Sequence, residues 1–223
     1  QRQMCIRDRT ITVGLFSNDE MLFDGFQYMI YEPGDELINI DSILINDPLL
    51  NFMYPNSQTL NLFFGWNLIS SYINPNKSIT ELFETISSSI IIVKNGLGQA
   101  YLPEWNFNGI GDFNFLEGYL VKVNSDVSLD IIGDFVIPEN SPLNLDAGWS
   151  IISYLRLDAV SADLIFQDLL SNNNLIIAKN NLGAAYLPEW NFNGIGNLTP
   201  GQGYQIKLNQ SAELVYFSIF DSY

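Results

Sequence analysis

The sequence predicts an α+β fold, mainly antiparallel β, in which two tandem repeats of strand–helix–four strands follow a partial all-β domain. Three observations predict it. The string YLPEWNFNGIG is spelled twice, at Tyr101–Gly111 and again at Tyr186–Gly196. Around it, Ile90–Asn124 laid on Leu175–Asn209 agrees at 22 of 35 positions without a gap. An internal period of this size marks tandem small domains. The third observation is a switch of hydrophobic period within each copy, from helix-like spacing to short β-branched runs.

The elements follow in order. Gly65–Ser70 and its counterpart Gly148–Ser153 start a strand with a Gly-Trp pair after a turn. Asn74-Pro75-Asn76 breaks the first. Ser78-Ile79-Thr80-Glu81 has the form of a capping box, and Ile79, Leu82, Phe83 and Ile86 share one helix face behind it. The second copy keeps this logic with other residues. Ser161 caps, Asp163 suits the positive helix end, and Ala162, Ile165, Phe166 and Leu169 form the stripe. Ile90–Lys94 is β-branched and continuous, the composition of a buried strand. Asn95-Gly96 signals a hairpin into Gln99–Leu102, which Pro103 ends. Gly118–Val123 and Val127–Ile132 supply two more strands. Leu175–Lys179, Ala184–Leu187, Gly203–Leu208 and Glu213–Ser218 repeat the set.

These elements divide the chain into residues 1–9, 10–57, 58–134 and 135–223. Gln1–Arg9 (QRQMCIRDR) resembles translated sequencing-adapter sequence and is set apart from the fold, the alternative being a genuine amino-terminal tail. Thr10–Tyr54 reads as part of a β domain, with strands at Phe26–Tyr31 and Leu37–Ile45 around Pro33-Gly34. Phe135–Asn144, with Pro138 and Pro142, reads as a short semi-rigid connection that opens the second module.

Charge excludes several functions. The whole chain carries a formal −16. Without residues 1–9, six bases (Lys77, Lys94, Lys122, Arg156, Lys179, Lys207) face 24 acids, the 25 less Asp8, for a net −18. Nucleic acid and anionic lipid need clustered cations, so neither is an expected partner. No apolar run approaches the ~20 residues of a membrane span. Cys5 is the one cysteine and there is no histidine, which removes Ser-His-Asp and Cys-His catalysis and the preferred zinc ligands. No cofactor is expected. Calcium through Asp19, Glu20 and Asp24, or through Asp35, Glu36 and Asp41, fits no recognised loop spacing.

The doubled loop is the best binding candidate: Glu104, Trp105, Asn106 and Asn108, with Glu189, Trp190, Asn191 and Asn193. A Trp face stacks on a sugar while amides and a carboxylate meet its hydroxyls. A structural reading competes and is the expectation. Trp105 and Phe107 would fill a core between sheet and helix, Asn106 and Asn108 would close Asx-turns, and the loop would seal the module. Paired Glu104 and Glu189 do not suggest a glycosidase, because the two carboxylates belong to separate copies. No catalytic residue is assigned. The aromatics after Gly65, Gly118, Gly148 and Gly203 are expected to anchor the sheet to the helix.

The opening Gly65–Ser70 and closing Gly118–Lys122, like Gly148–Ser153 and Gly201-Gln202-Gly203-Tyr204-Gln205-Ile206-Lys207, resemble a β-rich repeat of secreted and cell-surface bacterial proteins, especially of Bacteroidetes. Leu116-Glu117 stands where the second copy has Gly201-Gln202, a departure in the turn before the strand. The resemblance implies an extracellular, non-catalytic segment that spaces or displays neighbouring domains. The alternatives are a carbohydrate-binding pair using the PEWNFNG loops and a phage fibre or decoration protein. The expected partners are a polysaccharide, another surface protein or adjoining domains.

Overall fold

The computed structural model describes residues 15–17, 20–22 and 55–216. The chain forms two compact units, Gln1–Pro55 and Asn56–Tyr223. In the first, β1 (Leu15–Ser17) and β2 (Glu20–Leu22) make an antiparallel hairpin, a pairing the sequence reading did not single out. The strands expected at Phe26–Tyr31 and Leu37–Ile45 lie outside the described residues, as do 217–223.

The second unit is mainly antiparallel β. Its first copy contains β3 (Ser57–Leu62), β4 (Gly65–Ile69), β5 (Ile73–Asn74), α1 (Ile79–Leu82), β6 (Ile90–Lys94), β7 (Ala100–Leu102), β8 (Phe107–Asn108), β9 (Tyr119–Val123), β10 (Val127–Ile132) and β11 (Asp134–Phe135). The second contains β12 (Leu143–Leu145), β13 (Gly148–Ile152), β14 (Val160–Ser161), α2 (Ala162–Ile165), α3 (Gln167–Ser171), β15 (Leu175–Lys179), β16 (Ala185–Leu187), β17 (Phe192–Asn193), β18 (Asn197–Leu198), β19 (Tyr204–Leu208) and β20 (Ala212–Leu214). Two five-stranded sheets result, in the orders β4-β9-β6-β7-β8 and β13-β19-β15-β16-β17, so equivalent strands hold equivalent places. Separate ribbons, β3–β10 and β12–β20, complete the two copies.

The helical stripe packs inward in both. Ile79, Leu82, Phe83 and Ile86 are buried, as are Ala162, Ile165, Phe166 and Leu169. The capping box forms: Glu81 N–H donates to the Ser78 hydroxyl while Ser78 N–H donates to the Glu81 carboxylate. The helix is shorter than its stripe, because α1 passes into a 3-10 helix at Glu84–Ser89. With β-branched and hydroxylic residues along Glu84–Ser89, the segment tightens rather than continuing as α. Each core lies between helix, five-stranded sheet and ribbon. Phe83, Tyr119, Leu129 and Ile131 define the first, and Tyr154, Phe166, Tyr204 and Leu143 the second. Burying each such side chain contributes roughly 1.5–3 kcal/mol.

Three expectations are corrected here. Phe135–Asn144 is more than a connection: Val136 and Leu143 are core residues, and β12 extends the segment into a ribbon with β20. Ile90–Lys94 is only half buried, with Ile91 43% exposed, because one face of its sheet is open. The hairpin after it does not use positive φ at Asn95 or Gly96. Asn95 Oδ1 accepts from Leu97 and Gln99 N–H, and the left-handed residue is Gly98, at φ +80°. Asn180 and Gly183 repeat that geometry, so Gly96 can become Asn181 without loss.

The copies meet reciprocally. Gly118 N–H donates to Ile151 O, and the equivalent Gly203 N–H donates to Leu68 O, both at 3.0 Å. Glu117 bridges to Ile152 as Gln202 bridges to Ile69. Glycine is required because a Cβ at Gly118 would stand 2.7 Å from Ile152 O, and one at Gly203 the same from Ile69 O. Ser70 adds two bonds on one side only: its hydroxyl donates to Gln202 O at 2.6 Å and accepts from Tyr154 N–H.

Candidate functional site

The doubled loop is built from local hydrogen bonds. Pro103 opens a 3-10 turn through Trp105, since its fixed φ suits a first helical position. Asn106 then takes the left-handed conformation at φ 49°, reversing the chain into β8. Asn108 Oδ1 accepts from Ile110 and Gly111 N–H, and its Nδ2 donates to Gly111 O. Gly109 N–H donates to Ala100 O, with the Phe107 ring lying over Gly109 so closely that a Cβ there would be 3.0 Å from it. Ile79 N–H donates to Gly111 O, which ties the end of the loop to the helix start.

The second loop repeats the plan through Asn191, Asn193, Gly194 and Gly196. It gains one tether. Asp163 accepts from the Tyr186 hydroxyl at 2.6 Å, from Asn193 Nδ2 at 2.9 Å and from the Ser161 hydroxyl. The bonds from Tyr186 and then Asn193 hold the Asp163 carboxyl below the usual carboxylate range. Desolvation, followed by the Asp163 hydrogen bond, pushes the Tyr186 phenol up to about 12.

The expected burial of the loop aromatics is overturned. Trp105 and Trp190 are 73% and 72% exposed, and Phe107 and Phe192 about half. The core beneath is already filled by Tyr101, Phe113 and Tyr119, whose inner-face positions leave the loop side chains outside. Glu104, Glu189, Asn106 and Asn191 are exposed beside them, whereas Asn108 and Asn193 are partly buried and engaged with backbone. The Asx-turn reading therefore holds for Asn108, whereas Asn193 Oδ1 accepts from Gly196 N–H, three residues on. Asn106 and Asn191 serve instead as left-handed caps.

The Gly-Trp and Gly-Tyr pairs divide. Tyr119 and Tyr204 are core residues as expected, but Trp66 and Trp149 stand on the outer face, 45% and 51% exposed. Strand alternation explains this, since Trp66 pairs with Lys122 while the inner positions go to Asn67 and Val121. Lys94 and Lys122 lie over the Trp66 ring at 5.9 and 5.7 Å from its centroid. Lys179 and Lys207 lie over Trp149 at 5.5 and 5.9 Å.

Register carries this face across the whole sheet. Trp66 is opposite Lys122, Lys122 opposite Ile92, Ile92 level with Leu102, and Leu102 opposite Phe107. The second sheet spells the same row as Trp149, Lys207, Ile177, Leu187 and Phe192. The sequence reading took the loops alone and missed this row. The signal was present: four of the six bases beyond residue 9 stand in equivalent strands of an acidic chain, Lys94 and Lys179 closing apolar runs and Lys122 and Lys207 lying between apolar residues.

Other surfaces offer less. A shallow cleft lined by Asn172, Asn173, Asn174, Asn209 and Gln210 spends its amides on backbone, as in Asn174 Nδ2 to Gln210 O and Asn209 Nδ2 to Asn173 O. Among the described residues no three His, Cys, Asp or Glu side chains gather to hold a metal. The acids weighed for calcium fall among residues whose side chains are not described. No helix among the described residues is long and apolar enough to cross a membrane.

The fold and surface define the chain at the level of class, a mainly antiparallel β protein that carries one aromatic–lysine face on each of two sheets. No family model, curated protein or solved structure matches it.

Proposed function

We propose that this chain is an extracellular, non-catalytic segment of tandem GWN…GQGY-type repeats that adheres to polysaccharide through its two PEWNFNG loops. The observation that carries the reading is the exposure of Trp105 and Trp190 at equivalent places on loops whose backbones are fixed by Asn108 and Asn193. A fixed loop loses little entropy on binding, and a bare indole offers a stacking face to a sugar ring. Glu104 and Glu189, exposed next to each indole, accept hydrogen bonds from hydroxyls. Two such loops on one chain convert weak contacts into avidity, because the second contact forms at a high effective concentration. The adhesive role and the spacing of neighbouring domains are compatible, since both require a surface that binds without turnover.

Affinity electrophoresis through gels cast with a panel of neutral and anionic polysaccharides tests the reading. Retardation by at least one polymer is expected, and Trp105→Ala with Trp190→Ala should abolish it while leaving the circular dichroism unchanged. Absence of retardation by every polymer, or retardation indifferent to both substitutions, overturns the reading.

A further inference from the structure

From the outer faces of the two sheets we infer that the ligand is an anionic polysaccharide, laid across the row from Trp66 to Phe107 and across its twin from Trp149 to Phe192. The inference deepens the polysaccharide reading and rests on it. It starts from a charge anomaly. In a chain with 25 acids and 9 bases, lysines have carboxylates to choose from. Yet among the described residues the ion pair is Arg156 with Glu139, and Lys94, Lys122, Lys179 and Lys207 reach no carboxylate within salt-bridge distance. They converge in pairs on the two tryptophans instead. A cation over an exposed indole gains only about 0.5–1 kcal/mol, so each ammonium keeps its capacity to pair with an anion.

Geometry indicates a polymer. Four inter-strand spacings of about 4.8 Å place Trp66 roughly 19 Å from Phe107, longer than a single sugar ring spans. The row is aromatic at both ends, with Lys122, Ile92 and Leu102 between, and Lys94 lies one side-chain repeat along from Ile92. Rings stack at the ends while anionic substituents meet the lysines near the Trp66 end. Glu104 and Trp105 adjoin Phe107 at the opposite end, where uncharged hydroxyls suit the carboxylate. The same polarity is written into the second sheet by Lys179, Lys207, Glu189 and Trp190. The chain's overall acidity opposes a polyanion at long range, but at physiological salt charges beyond about 8 Å are largely screened and the local lysine pair prevails.

The experiment compares dextran, dextran sulfate of matched length and poly-glutamate as gel matrices at 0.15 M salt, with the oligomeric state followed by sedimentation. Dextran sulfate should retard the chain at least tenfold more than dextran. The combined Lys94→Gln, Lys122→Gln, Lys179→Gln and Lys207→Gln variant should lose that preference, and the log–log salt dependence of the retardation should flatten as lysines are removed. Equal retardation by dextran and dextran sulfate overturns the anionic assignment and leaves neutral polysaccharide binding standing. Poly-glutamate retarding as strongly as dextran sulfate overturns the assignment in favour of an acidic protein segment. Self-association abolished by the same lysine substitutions overturns it in favour of a second copy of this chain. Lysine-dependent retardation by dextran sulfate that ignores Trp105→Ala and Trp190→Ala supports the sheet row and overturns the loop reading alone.

Discussion

Gly203→Ala is expected to part the two copies where they touch. The added Cβ would sit 2.7 Å from Ile69 O and 3.4 Å from Leu68 Cγ. An ordinary carbon–oxygen contact is about 3.3 Å or more, so strand β4 must withdraw by roughly half an ångström. Overpacking of this kind costs about 1–3 kcal/mol. Stretching the 3.0 Å bond from Gly203 N–H to Leu68 O removes about 1 kcal/mol more. The sum, about 2–4 kcal/mol, corresponds to a melting temperature lower by roughly 5–15 °C for a chain of this size. Gly118→Ala meets Ile151 Cγ2 and Ile152 O at 2.7 Å and should cost the same. Both glycines serve one contact, so the double variant should lose less than the sum of the singles. Urea unfolding followed by tryptophan fluorescence gives the free energies. Leu182→Ala, at an 87% exposed position, is the control and should stay within about 0.5 kcal/mol. If Gly203→Ala also stays within 0.5 kcal/mol of the parent, the reciprocal contact is not present in solution.

Further outcomes follow from neighbouring features. Ser70→Ala strands Tyr154 N–H and Gln202 O and should cost about 1–3 kcal/mol. The equivalent Ser153→Ala removes a buried hydroxyl that has no partner and should leave the unfolding free energy unchanged or higher. Asn193→Ala frees Gly196 N–H, takes one of three side-chain donors from Asp163, and should raise amide hydrogen exchange at residues 194–197, whereas β15 keeps its protection. The depressed Asp163 carboxyl stabilises the fold above its unfolded value near pH 4, and that contribution is lost as pH falls through the lower folded value. Asp163→Asn should therefore flatten the acid limb of a pH series of urea midpoints. At the alkaline end the raised Tyr186 phenol keeps its contribution below about pH 10 and loses it as pH climbs toward about 12. Midpoints should fall across that window, and a flat alkaline limb would refute the tyrosine burial.

Much of the fold was legible because it rests on local chemistry. The stripe Ile79, Leu82, Phe83 and Ile86 and the Ser78–Glu81 box need only their own spacing to be read, and both occur. The strand expected at Gly118–Val123 was equally plain from its own residues, and it forms at Tyr119–Val123. Long-range pairing was harder. Ser57–Leu62 is a strand because β10 lies beside it, and Leu143–Leu145 because β20 does. The loop misled for another reason. Whether an indole is core or surface depends on what fills the space beneath it, and Phe113 stacked on Tyr119 fills that space first. The Trp–Lys row required register across five strands, which no stretch of sequence states by itself.

The reciprocal contact through Gly118 and Gly203 has an arithmetic of its own. Each copy gives a strand end and receives one, so two copies satisfy each other and no third can join at that patch. Stacked solenoid repeats differ, because each offers a separate face to the next and the stack can lengthen one repeat at a time. Here the contact is of the self-complementary kind found in two-fold dimers, realised within a single chain. Further copies of this repeat would enter a chain as couples, and couples would have to be joined through other surfaces. The mechanical element of such an array would be the couple, with its yielding points in the links between couples rather than inside them.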